Sequence, residues 1–175
     1  MRTSDRSHHP ADQLIRELIQ SGRATEPAEI ERILDRMALA VFDPRVVRVP
    51  IHERGLTYGN RLILERADSL FLHLVRRVLI REQWGVGTTP DQYLDDLRQV
   101  VRAQDISLAI YSRRGGSLAA ALAPTDQVVP PERRGPRSLP ELFVVYSADR
   151  GIIVTGYQVS SRDVLAIPKD ARWLL

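Results

Sequence analysis

Residues 142–159 constrain the fold of this chain more than any other stretch. Two runs rich in β-branched and aromatic residues, 142–146 and 152–159, flank the turn-forming Ser147-Ala148-Asp149-Arg150-Gly151. Such a pair, joined by a short glycine-containing link, reads as an antiparallel hairpin. Period two places Thr155 and Tyr157 on one face of it, with Gly156 leaving the opposite face open. A further strand shows where Ile106, Leu108 and Ile110 alternate with Ser107, Ala109 and Tyr111. Strands that follow one another without intervening helices pair antiparallel.

The rest of the chain supplies helices. Residues 12–20 carry Leu14, Ile15, Leu18 and Ile19 on one stripe and stop at Gly22. Thr25 then caps a second helix that reaches about Val41, so the first 44 residues form a helical hairpin. Val47, Val49 and Ile51 alternate as a short strand, with 61–65 as its return and 55–60 as the turn. Asp68 or Ser69 caps a helix running to about Trp84. Thr88 or Thr89 caps another from Pro90 to about Ala103. The stretch 123–141 holds five prolines and three arginines and can be neither helix nor central strand; most of 124–138 is expected to be exposed and poorly ordered. Residues 1–10 read as a frayed terminus with His8 and His9 in it, and 162–175 as a tail in which Trp173 docks. The expected class is α+β: an N-terminal helical segment (1–44) and an α+β unit (45–175), with helices packed on one antiparallel sheet.

Composition removes several functions. None of the 175 residues is cysteine, which excludes disulfides, thiolate catalysis and cysteine-ligated metal. No apolar run approaches membrane-spanning length, and the first ten residues lack an apolar signal segment. A cytoplasmic protein, or one delivered to another cell's cytoplasm, is expected, without a membrane partner. Of the 25 cationic side chains, Lys169 is the only lysine. The net charge of +3 arises wholly after residue 70, so an anion-binding surface belongs to that part. Arginine suits it, because its planar fork binds phosphate bidentately.

Familiar catalytic signatures are missing: there is no glycine-rich phosphate loop, no G-x-S-x-G and no H-E-x-x-H. Asp91, Asp95 and Asp96 cluster at a helix start, where the helix dipole alone favours acids; no metal ligand set is assigned. Two constellations remain. His73, Arg76 and Arg77 lie three and four residues apart on a helix, on a side turned away from Leu70, Phe71, Leu74 and Val78. An imidazole moves protons near neutrality and two guanidiniums can hold a phosphate, although a solvated basic face has the same spacing. Thr155 and Tyr157 form the second, where a hydroxyl and a phenol could bind phosphate; two good strand formers would look alike.

The segment from Leu142 through Tyr157, with its Gly151-Ile152-Ile153-Val154-Thr155-Gly156-Tyr157 strand, resembles the closing hairpin of small ribonuclease-type toxin domains of the barnase–EndoU–colicin E5/D–RelE-like superfamily. The upstream helix with His73, Arg76 and Arg77, followed by Thr88-Thr89-Pro90, resembles the same pattern, which spans about half the chain. The sheet lysine and the second histidine of such domains are missing here, and the N-terminal helices lie outside the pattern. The resemblance implies a metal-independent endoribonuclease without a cofactor, whose open sheet face takes RNA. His73 would be acid or base, Arg76 and Arg77 phosphate clamps, and Thr155 and Tyr157 orienting donors. Arg113, Arg114 and Tyr111 would contact the RNA backbone, and an antitoxin or immunity protein is the expected protein partner. The alternative is a non-catalytic nucleic-acid- or protein-binding module on the same fold.

Overall fold

The computed structural model describes residues 6–175, so the terminal expectation for residues 1–5 lies outside it. Helix α1 (Pro10–Ser21) starts two residues earlier than periodicity suggests. His9 caps it, its Nδ1 accepting from the Ala11 N–H at 3.1 Å, which makes this histidine a structural cap and not part of a loose tail. Helix α2 (Pro27–Ala38) is opened by Glu26 and Glu29 in a reciprocal capping box, not by Thr25.

Strand β1 (Val41–Phe42) follows. Next comes a ribbon of β2 (Val46–Arg48) paired antiparallel with β5 (Arg66–Asp68). Inside it a smaller hairpin joins β3 (Thr57–Tyr58) to β4 (Arg61–Leu62). The return strand therefore comes later than the sequence suggests, because the 55–60 turn itself contains a strand.

Helix α3 (Ser69–Val75) is capped by Asp68, which accepts from the Phe71 N–H at 3.1 Å. It continues as a π-turn over Arg76–Ile80, closed by an Arg81 N–H bond to the Arg76 carbonyl. Helix α4 (Pro90–Gln99) has Thr89 and Gln92 as its capping box.

The main sheet comes last in the chain: β6 (Ser107–Arg113), β7 (Gly116–Pro124), β8 (Glu141–Ser147), β9 (Ile152–Val159) and β10 (Arg172–Trp173). Its order is β1-β9-β8-β7-β6-β10, antiparallel except where β1 runs parallel to β9. The class is α+β with helices packed on a sheet, as expected; the sheet is mixed because the chain leaving α2 enters beside β9 in the same direction.

One continuous core joins Leu14, Leu18 and Met37 of the N-terminal helices to Phe71, Leu97, Leu108, Tyr146 and Ile153. The N-terminal helices are thus part of the same packing unit as the sheet. A buried carboxylate pins them there: Asp12 accepts from Tyr146 Oη at 2.6 Å and from Arg36 Nη2 at 3.0 Å. The opposite sheet face carries Tyr111, Ala120, Leu122, Phe143 and Val145, and Leu165, Ile167 and Ala171 of the C-terminal segment pack across it. The open face implied by the resemblance is therefore covered.

The proline-rich segment also departs from expectation. Val129 and Thr125 are buried, Arg133 forks onto Asp96, and Arg134 bridges to the backbone of Trp84. Gly135 is required there, since a Cβ would stand 2.1 Å from the Glu82 carbonyl oxygen. Its ends, Ala123, Pro124 and Glu141, belong to the β7–β8 ladder; between them the chain leaves the sheet, yet its arginines and Val129 tie it to the core. No helix among the described residues is long and apolar enough to cross a membrane.

Candidate functional site

The candidate site lies along the outer edge of β9. Strand β1 covers that edge only at Ile152 and Ile153, so the backbone beyond them needs other partners. Side chains provide them. The Gly156 carbonyl accepts from Arg77 Nε at 3.1 Å and from Tyr93 Oη at 2.6 Å. Gln83 then pairs with Gln158 like a strand: its Oε1 accepts the Gln158 N–H and its Nε2 donates to the Gln158 carbonyl, both at 2.9 Å. The edge is thereby closed to strand addition.

Gly156 is what lets α4 approach. A Cβ there would lie 2.4 Å from Leu97 Cδ2, so the face opposite Thr155 and Tyr157 is filled by leucine rather than open. Tyr93, packed beneath, is held neutral by burial, which pushes its phenol up to about 12.

Above this edge is a groove of about 550 Å³ lined by Arg77, Arg81, Gln83, Leu139 and Tyr157, among others. The Arg77 guanidinium sits 5.1 Å from the centre of the Tyr157 ring, within cation–π range. Arg81 is exposed at the rim. The π-turn accounts for this placement. It lets the Arg77 carbonyl accept from the Gln83 N–H at 2.8 Å, carrying the chain out of the helix directly onto the β9 edge. Two guanidiniums and a phenol can hold an anionic, aromatic-bearing chain.

The remaining expected residues divide. His73 is not on a solvated face: its ring meets Phe42 edge-on at 5.1 Å, and its buried Nδ1 has no partner. Burial, reinforced by the Arg77 and Arg76 charges and opposed by Asp43, pulls its pKa to about 4. The helical wheel misplaces it because Phe42 arrives from a distant strand. Arg76 is committed elsewhere, its Nε and Nη2 forking onto the buried Glu53 at 2.8 Å each; it is not a free phosphate clamp.

Thr155 and Tyr157 do share a face, opposite Val145 and Phe143 in the register. Tyr111 faces the same way but is buried, packed in the apolar cluster that the C-terminal segment covers. Arg113 and Arg114 are exposed at the β6–β7 turn; Arg113 donates to the Ala166 carbonyl at 3.2 Å. Asp96 is buried under Trp84 Nε1 and Arg133, which explains that carboxylate without a metal.

Arg81, Gln83 and Tyr93 belong to the site but were not singled out by the sequence. Only Gln83-Trp84 before Gly85-Val86-Gly87 hinted that the chain leaves the helix there. Comparison with protein-family models, curated proteins and solved structures finds no match.

Proposed function

We propose that this chain is a metal-independent, RNA-cleaving domain of the toxin type that seats a backbone phosphate in the groove beside β9. One observation carries the reading: Arg77 lies one helical turn from His73 and 5.1 Å from the Tyr157 ring. Imidazole, guanidinium and phenol thus follow one another from the core to the open groove.

Cleavage through the 2′-hydroxyl needs a base for that hydroxyl, positive charge at the phosphorane and a donor for the leaving oxygen. In this reading Arg77 and Arg81 hold the phosphate, and Tyr157 donates its phenol proton toward the leaving oxygen while Thr155 orients it. His73 is the base: it is neutral at neutral pH, with Nδ1 unengaged. A phosphate beside Arg77 offsets the guanidinium charges that depress the imidazole and raises its basicity. Arg113 and Arg114 add outlying backbone contacts. A protein that neutralises the activity would be its antitoxin or immunity partner.

A non-catalytic RNA-binding module is the second reading, favoured by the depth of His73, which is not among the groove-lining residues. The test is incubation of the purified chain with labelled single-stranded RNA and its 2′-deoxy analogue, with and without a chelator. Cleavage of the RNA alone, insensitive to chelator and lost in His73→Gln, supports the nuclease. RNA bound through Arg77 and Arg81 but left intact supports the binding module. No binding in either form removes both.

A further inference from the structure

The β2–β5 ribbon carries a conflict that its own fold does not resolve. Arg48 and Arg66 stand directly opposite each other in the antiparallel register, and both side chains are exposed. The ladder phase makes the conflict worse. The Ser69 N–H bonds to the Arg45 carbonyl and the Val49 N–H to the Glu65 carbonyl, which makes 45/69, 47/67 and 49/65 the hydrogen-bonded pairs. Arg48/Arg66 and Val46/Asp68 are then the non-hydrogen-bonded pairs, where facing side chains stand closest. Like charges at such a site are destabilising, and no carboxylate pairs with either arginine among the described residues.

The surroundings point to what would resolve it. Exposed aliphatic side chains lie close to the two arginines: Val46, 56% exposed, two residues before Arg48 on the same strand, Leu64, 63% exposed, two residues before Arg66, and Ile51, 79% exposed, beside Arg48. Beside Arg48 a shallow cavity of about 260 Å³ opens between Arg48, Ile51 and Arg54. The same ladder phase turns the backbone N–H and C=O of Val46 and Arg48 outward from β5, and neither residue has another backbone partner. An outward strand edge, two unneutralised guanidiniums and aliphatic side chains suit an extended acidic peptide, which supplies backbone, carboxylates and apolar contacts together. Nucleic acid would match the charge but not the aliphatic rim or the free ladder edge, and among the described residues no exposed tyrosine, tryptophan or phenylalanine stands there for base stacking.

We propose that the β2–β5 ribbon is a docking surface for an acidic, extended segment of a protein partner, which pairs with the outer edge of β2 and neutralises Arg48 and Arg66. This surface is distinct from the groove beside β9, and the proposal does not depend on the activity at that groove.

The test titrates the full chain with a labelled (Glu-Val)4 peptide, its (Lys-Val)4 counterpart and a single-stranded RNA octamer. Backbone amide exchange is followed residue by residue. The acidic peptide should bind, slow exchange at Val46 and Arg48, and weaken as salt rises. Arg48→Glu and Arg66→Glu should each weaken it at least about tenfold. Each of these changes makes an opposite-charge pair across the ribbon, so melting temperature should hold or rise, which confirms that the variant is folded. Equal binding of the basic peptide, protection produced by RNA instead, or unchanged exchange at residues 46–48 at millimolar acidic peptide would each overturn the proposal.

Discussion

The Arg77 guanidinium lies over the Tyr157 ring while its Nε donates to the neighbouring Gly156 carbonyl at 3.1 Å. A side chain held at both a backbone oxygen and an aromatic face loses little further freedom when it meets a ligand, so it is pre-organised for an anion. Arg77→Lys keeps the charge but not the planar fork. RNA affinity should fall by about tenfold, one good charge-assisted contact. Arg81→Ala should instead weaken binding modestly and reduce the salt slope by about 1, as for one lost phosphate contact. Fluorescence anisotropy with an RNA oligonucleotide over a salt series measures both. Identical slopes for all three proteins would place the RNA elsewhere.

His73 makes stability depend on pH in a defined window. Its pKa falls from the ordinary 6.5 to about 4 in the fold, mainly through burial, with Arg77 and Arg76 adding to the shift. Between those values the unfolded chain takes up a proton that the folded chain refuses, so stability falls as pH drops through the window and is flat above it. The loss approaches about 3 kcal/mol when complete. Asp43 acts lower down: although burial opposes it, hydrogen bonds from Arg45 and Arg150 hold its carboxyl at about 2, and its contribution goes only below the usual carboxylate range. Urea unfolding at pH 7 and pH 5 should show a drop that His73→Gln largely removes. A drop of equal size in the variant would assign the effect to other groups.

How far the sequence revealed this molecule depended on where each signal came from. The 142–159 hairpin was legible because β-branched runs, a glycine turn and period two all agreed. Strand β7 was not: Ala119, Ala120, Ala121 and Ala123 are helix formers by propensity. Their small size suits a strand pressed by α1 on one face and by the second apolar cluster on the other. The site divides in the same way. Strand period and helix spacing single out Tyr157 and Arg77, and the structure sets the two side by side. Gln83 and Tyr93 take their roles from the part of the β9 edge that β1 leaves for side chains to close, a tertiary arrangement that no local pattern announces. Helix spacing cannot show that Arg76 is engaged, because its partner Glu53 sits in a turn far back in the chain.

Asp12 should be among the most sensitive positions for stability. It is fully buried, accepts from Tyr146 Oη at 2.6 Å and pairs with Arg36, joining both N-terminal helices to β8. Asp12→Ala leaves the Arg36 guanidinium partly buried without its counter-charge and the tyrosine without an acceptor. A loss of about 3–5 kcal/mol is expected. Gly151 lies against the same pair, since a Cβ there would be 2.7 Å from Arg36 Nη2. Gly151→Ala should therefore destabilise through both its left-handed φ of 67° and this contact. Denaturant midpoints measure both variants, and near-wild-type stability of Asp12→Ala would show that the helical pair docks through its apolar side alone.

Gly156 and Leu97 offer a coupled test of how packing supports the groove. A Cβ on Gly156 would stand 2.4 Å from Leu97 Cδ2 and 2.8 Å from Cδ1, so Gly156→Ala must move α4 or β9. Overpacking of this kind costs about 1–3 kcal/mol. Moving β9 also displaces the carbonyl that Arg77 and Tyr93 grip, so RNA affinity should fall with stability. Leu97→Ala alone opens a cavity in the core and costs about 2–5 kcal/mol. The double variant places the new methyl in the space that the leucine leaves. It should be more stable than the sum of the two losses predicts, by at least about 1 kcal/mol. RNA affinity should recover in it as well, because the Gly156 carbonyl returns to its position beneath Arg77. Strict additivity in a double-mutant cycle of unfolding free energies would mean that α4 yields freely to the methyl. In that case the glycine would not be what fixes the groove.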